Sequence, residues 1–201
     1  MKYYIADLHF GHDNIIRFDD RPYDSVESME EELINNWNKA VKSEDDEVYI
    51  LGDFSWENTE KTHEILDKLN GKKYLILGNH DTWVTSESMD YLEDIQDLTT
   101  IKDEALDGRR FNVFLSHYPI PLAPIHRKDN GMLLYGHVHG TIEHEYTNRM
   151  FDMAEAFCSS RAEHFNVGAL MPYINYTPRT LDEILLEGRK HRIMMEGQIE
   201  D

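Results

Sequence analysis

Aspartate, asparagine and histidine recur along this chain in short clusters: Asp7-x-His9, Gly52-Asp53, Gly78-Asn79-His80-Asp81, His117 and Gly136-His137-x-His139. Carboxylate and amide oxygens are hard donors, imidazole is borderline, and no thiolate stands among them. Such a set suits divalent Mn, Fe, Zn or Ni. There are too many donors for one tetrahedral ion. Asp7, His9, Asn79, His117, His137 and His139, with Asp53 shared, would hold two. His137 and His139 occupy alternate positions, which on extended backbone share one face. Two ions a few ångströms apart lower the pKa of a bridging water and generate hydroxide near neutral pH. They also offset the charge that develops on a phosphoryl group during in-line displacement.

Each cluster alone has an ordinary reading as a cap, a turn or a strand end. Their placement adds weight, because each follows an apolar run of strand length. Lys2-Tyr3-Tyr4-Ile5-Ala6 precedes Asp7, Glu47–Leu51 precedes Gly52, and Lys73–Leu77 precedes Gly78. Arg109–Ser116 precedes His117, and Met132–Tyr135 precedes Gly136. Ligands of open α/β sheets bind beyond the carboxyl ends of strands, so all five clusters are expected on one rim of a sheet. Glycine before Asp53, Asn79 and His137 lets the backbone pass close to the ions.

Helical patterns separate the early strands. From Ser25, the residues Val26, Met29, Leu33, Trp37 and Ala40 recur at spacings of three and four, and a second helix runs from Thr59 to Leu69. The order β-α-β-α-β implies parallel strands with crossover helices. Later, Asp107-Gly108 marks a hairpin, and the second half is expected to be mainly antiparallel. Phe165–Val167 reads as a further strand. Thr180 and Glu183 form a capping box that opens a C-terminal helix, and the polar tail from Gly188, above all 190–201, is expected to fray. No repeat or linker divides residues 1–201, so one domain is expected.

The chain has 201 residues, one cysteine (Cys158), and 20 basic against 39 acidic side chains, for a formal net charge of −19. An acidic surface repels polyanions, so nucleic acid is a poor expectation as partner. No apolar run approaches the roughly 18 residues of a membrane span. Asp7, His9 and His12 interrupt any secretory pattern at the start. With a lone cysteine, this points to a cytoplasmic protein with no membrane partner, and the sequence leaves monomer and homodimer both open.

The order of clusters resembles the calcineurin-like metallophosphoesterases, whose blocks run Asp-x-His, Gly-Asp, Gly-Asn-His-Asp/Glu, His, Gly-His-x-His. The stretch Asp7–Phe18, followed by Arg21-Pro22-Tyr23, is similar to small single-domain members from bacteria and phages. The resemblance implies an α/β fold of two stacked mixed β-sheets flanked by helices, an αββα sandwich. It implies that Asp7, His9, Asp53 and His139 hold a first metal, and Asp53, Asn79, His117 and His137 a second, with Mn²⁺ ranked first. His80 is then the proton donor rather than a ligand, oriented by Asp81. One departure is Trp56, which stands where many relatives carry a second acid three residues after Gly-Asp.

The reading is a phosphoesterase for a small phosphorylated substrate, a phosphodiester or a monoester, attacked by a metal-bridging hydroxide with a histidine general acid. Two dications against Asp7, Asp53 and one hydroxide leave about +1 at the centre, which favours an anionic phosphate. His12, Asn14, Arg17 and Arg21 are candidate substrate contacts, although Arg17 and Arg21 could instead pair with Asp19 and Asp20. His126, on a proline-rich loop, is a candidate pocket wall. A nuclease, or a non-catalytic scaffold on the same fold, is the alternative.

Overall fold

A computed structural model describes residues 1–196. The first sheet begins with β1 (Lys2–Ile5), after which α1 (Asp13–Phe18) and α2 (Val26–Ala40) lead to β2 (Glu47–Leu51). Next come α3 (Thr59–Asp67), β3 (Lys72–Ile76) and the short β4 (Asp94–Gln96). Ser25 caps α2 by accepting from the Ser28 amide, and Met29, Leu33 and Trp37, four residues apart, form its buried stripe. Asn58 caps α3 by accepting from the Lys61 amide. The strands run parallel in the order β4-β3-β2-β1, as the β-α-β pattern requires, and β9 (Arg179–Thr180) adds an antiparallel edge beside β1.

The second sheet has the order β5-β6-β7-β8, from β5 (Leu98–Glu104), β6 (Arg110–Ser116), β7 (Gly131–Tyr135) and β8 (Glu163–Asn166). Here the expectation of mainly antiparallel strands is corrected. Only β5 and β6 form the hairpin about Asp107-Gly108, whereas β6-β7 and β7-β8 are parallel. The crossover from β7 to β8 is α4 (Ile142–Cys158), a helix the sequence pattern does not reveal. Every residue of β7 is buried, because this strand is covered on both faces. On one face the two sheets share a core of Tyr4, Ile5, Ile50, Val113, Leu115, Met132 and Leu134, among others. On the other, Tyr135 and Leu133 pack with Phe151 of α4, Ala123 and Ile125. Tyr4 of β1 also donates its hydroxyl to Asp103 of β5 at 2.7 Å, tying one sheet to the other.

The Thr180–Glu183 capping box forms as expected and starts α5 (Leu181–Glu183), which passes through a π turn, Ile184–Gly188, into α6 (Arg189–Glu196). The frayed tail expected from Gly188 is therefore helical through Glu196. Residues 197–201 lie outside the described residues. Two mixed sheets flanked by helices make up the expected α/β sandwich.

Candidate metal centre

The donor clusters gather where the carboxyl ends of both sheets meet. β1, β2 and β3 deliver Asp7 with His9, Asp53, and Asn79 with His80, while β6 and β7 deliver His117 and the His137–His139 pair. The backbone knits the loops together: the Asp7 amide donates to the Gly52 carbonyl, and the His9 amide to that of Asp53, both at 3.0 Å. Five donors sit in the left-handed region, with φ of 56° at Asp7 and His9, 51° at Asp53, 73° at His137 and 45° at His139. Such conformations persist only where surrounding structure over-determines them, and they cluster at functional sites. Two glycines allow the close approach. A Cβ on Gly78 would lie 2.3 Å from Asp53 Oδ1, and one on Gly136 would lie 2.7 Å from Asp7 Oδ2.

Two groups emerge, Asp7 with His9 and His139, and Asp53 with His117 and His137. Within each group, one potential ligand atom per residue falls within 4.8 Å of the others. His9 Nε2 lies 3.2 Å from His139 Nε2, and His117 Nε2 lies 3.2 Å from both His137 Nδ1 and Asn79 Oδ1. Asp53 Oδ2 stands between the groups, 3.9 Å from His9 Nε2 and 3.6 Å from His117 Nε2. The histidines are turned by their other nitrogens. His117 Nδ1 donates to the Leu51 carbonyl at 2.8 Å, and His139 Nδ1 donates to the Asp19 carboxylate at 2.8 Å. Their Nε2 lone pairs therefore face inward, the arrangement of a metal-binding imidazole with an outer partner.

These buried groups have lost water. Burial pushes the Asp7 carboxyl up and the His9 and His137 imidazoles down, since desolvation disfavours the charged form of each. For His139 burial works in the same direction, but the hydrogen bond to Asp19 and the charges of Asp7 and Asp19 outweigh it and raise its pKa. Asp19 is lowered: burial opposes this, and His139 with Arg21 overcomes it. His117 Nε2, Asn79 Oδ1 and Asp53 Oδ2 are acceptors converging on one another, and His9 Nε2 and His139 Nε2 face each other in the same way. A cluster of acceptors without protons between them is completed by cations, so the donor set fits divalent ions.

Other site expectations change. Among the described residues no hydrogen bond joins the Asp81 carboxylate to the His80 ring. The Asp81 carboxylate accepts from the amides of Asp53 (3.0 Å), Phe54 (2.9 Å) and Gly78 (2.8 Å) and from Trp83 Nε1 (3.0 Å), so it shapes the loops that carry Asp53 and Asn79. His80 is placed instead by its own amide, which donates to Asp53 Oδ1 at 2.9 Å, and by the Trp56 ring 4.2 Å away. Its Nε2 is 4.0 Å from Asp53 Oδ2, on a side chain 39% exposed. Trp56 thus packs where the sequence departs from the family pattern.

Arg21 is not open to substrate either. Its buried guanidinium donates to the carbonyls of Leu8 and Asp7, both at 2.9 Å, and to Asp19 at 3.1 Å. The alternative pairing with Asp19 is the one formed, and the chain Arg21–Asp19–His139 reaches the ligand cluster. Nothing in the spacing of Asp19 and His139 announced that link. His12 stacks on Trp56 at 4.2 Å and 9°, beside His9, while Asn14 and Arg17 lie exposed on α1. The His126 carbonyl accepts from Arg161 and Ala162, just before β8 begins, at the end of the sheet opposite the donors. It is not a pocket wall.

A family model described as calcineurin-like phosphoesterase matches residues 3–141, which is most of the chain and all of the donor clusters. The chain belongs to this family. Within the calcineurin-like phosphoesterases it is 33% identical, over 91% of its length and 88% of the relative's, to an uncharacterized protein of Methanocaldococcus jannaschii. It is also 30% identical to the gene 66 protein of Mycobacterium phage D29, over 70% of this chain and 79% of that one. Among solved structures, a protein of unknown function from Aquifex aeolicus superimposes with a TM-score of 0.63 at 29% identity, covering 92% of this chain and 97% of the other. The family is one of phosphoesterases, and the two donor groups are candidate sites for its divalent metals.

Proposed function

We propose that this protein is a dinuclear metal-dependent phosphoesterase that hydrolyses a small phosphodiester or phosphomonoester. The observation that carries the reading is Asp53 Oδ2, placed within 4 Å of a ring nitrogen in each donor group. Asp7, His9, Asp53 and His139 would hold one ion, and Asp53, Asn79, His117 and His137 the other, with Mn²⁺ ranked ahead of Fe, Zn²⁺ and Ni²⁺. Two such ions supply Lewis-acid charge to a phosphoryl group and acidify a shared water.

The protein groups do the rest. His80, part-exposed beside Asp53, is positioned to protonate the departing oxygen, a role typically worth about 10²- to 10⁴-fold. Arg21 and Asp19 hold His139 in its ligating tautomer, and Asp81 holds the Asp53 and Gly78 loops in register. Trp56 and Tyr118, 46% and 44% exposed, flank the first and second donor groups respectively. Aromatic walls on both sides favour a diester, with an organic group on each side of the phosphorus, over a monoester. A single cysteine suits a reducing, cytoplasmic setting.

The test is hydrolysis of bis-p-nitrophenyl phosphate and p-nitrophenyl phosphate by chelator-stripped protein, with Mn²⁺ restored and metal counted by mass spectrometry. Two ions per chain and metal-dependent turnover, both reduced by Asp53→Asn, are expected. A protein that binds two ions yet cleaves neither ester with any divalent metal would instead be a metal-binding scaffold.

A further inference from the structure

The helix α4 is apolar on two faces. Thr147, Phe151 and Ala154 form the buried face, with Phe151 stacked on His164 at 3.8 Å and packed 5.6 Å from Tyr135. Roughly a third of a turn around the helix, Ile142, Tyr146, Met150, Met153 and Phe157 form a second stripe that is 46–81% exposed. Their spacing of four, four, three and four residues keeps them on one line along the helix. At roughly 150–200 Å² per side chain, those exposures leave on the order of 500 Å² of apolar surface. That lies at the upper end of the roughly 300–600 Å² typical of the largest patch on a monomer. It supplies more than half of the roughly 800 Å² that each partner gives to a stable interface.

We propose that this stripe is a homodimer interface, in which α4 of a second copy packs antiparallel across it. The occupant follows from the symmetry of the pattern. Ile142 and Phe157 are equidistant from the midpoint between Arg149 and Met150, and so are Tyr146 and Met153. A two-fold axis through that midpoint sets Ile142 against Phe157 of the second copy, Tyr146 against Met153, and the two Met150 side chains beside the axis. Such a self-complementary patch closes as an isologous pair.

Other occupants fit poorly. Residues 197–201, Gly-Gln-Ile-Glu-Asp, bring one apolar side chain to cover five. A membrane-surface helix wants a cationic polar face, but α4 sets Glu143, Glu145, Asp152 and Glu155 against Arg149. With −19 on each copy, the pairing is opposed by like charge and is therefore tightened by salt. The interface also lies next to the metal centre, since Thr141 caps α4 two residues after His139.

The experiment is sedimentation equilibrium of the metal-loaded chain at micromolar concentration, in low and moderate salt. A species of twice the 23.7 kDa chain mass is expected, more stable in the higher salt. Tyr146→Glu and Met153→Glu should each weaken it by at least about 100-fold, because every substitution enters a two-fold interface twice. Their circular dichroism and bound metal should stay unchanged. A second arm uses Met150→Cys with Cys158→Ser and a bismaleimide spanning about 8–10 Å, the separation of packed helices. Efficient cross-linking of two chains is expected, and it holds the proposal to account even where a glutamate variant fails to fold. A monomeric wild type, a dimer indifferent to both glutamates, a dimer that Met150→Cys does not cross-link, or monomers that bind anionic vesicles through this stripe would each overturn it.

Discussion

Asp19 accepts a 2.8 Å hydrogen bond from Nδ1 of His139, a residue 120 positions further along the chain. This contact fixes the imidazole tautomer and leaves Nε2 facing His9. Arg21 holds Asp19 from behind through Nε at 3.2 Å and Nη2 at 3.1 Å. Outer carboxylates of this kind are worth about 10- to 100-fold in metal affinity. Asp19→Asn should therefore weaken metal binding by about that factor with little change in fold, read by competition against a chelating dye. Unchanged affinity would reduce Asp19 to a packing partner of Arg21.

His80→Ala should lower kcat by about 10²- to 10⁴-fold for esters with alkoxide leaving groups and far less for p-nitrophenol esters, which depart without a proton. Bound metal should stay at the wild-type level, because His80 belongs to neither donor group. Equal losses across a series of leaving groups would remove the proton-donor role.

Trp56 touches both His12 and His80, each with ring centroids 4.2 Å away. Trp56→Ala should raise KM for bis-aryl esters about tenfold, the scale of one aromatic stack. Its effect on KM for dialkyl esters should be small. The comparison of the two ester series reads the contact, and a KM shift shared equally by both would assign Trp56 to packing alone.

His164 predicts an acid sensitivity unconnected with the metal centre. Stacked under Phe151 near Arg192, its imidazole is pushed down to about 3, first by burial and then by the neighbouring cations. The unfolded chain takes up a proton near pH 6.5 that the folded chain refuses. The stabilising contribution is thus complete above about pH 6.5 and is lost as pH falls towards 3. His164→Gln should flatten the fall of Tm between pH 7 and pH 5, followed by circular dichroism. A slope identical to wild type would show that other groups set the acid limit.

Much of the fold is legible where one local rule suffices. Ser25 before a four-residue apolar repeat gives α2, Asp107-Gly108 gives the β5-β6 hairpin, and Thr180 with Glu183 starts the last helix. Local rules fail where neighbours decide. α4 hides because Phe151 faces the sheet while Ile142, Tyr146, Met150, Met153 and Phe157 face outward, so no single stripe stands out against a polar remainder. The pairing of β6 with β7 is parallel because the chain crosses over through 117–130, a choice that strand composition does not record.

At the site, side-chain chemistry and strand-end placement are properties of the sequence, and they alone nominated Asp7, His9, Asp53, Asn79, His117, His137 and His139 as one donor set. Candidate ligands are readable because coordination depends on donor type, which each residue carries wherever it lies. The partners of those ligands are not readable. Asp19 reaching His139, Asp81 serving backbone amides rather than His80, Arg21 turning inward and Trp56 packing on His80 depend on which loops meet in space. Hydrogen bonds and stacking contacts act over a few ångströms, so only tertiary folding, which brings residues 7 to 139 to one rim, could assign them.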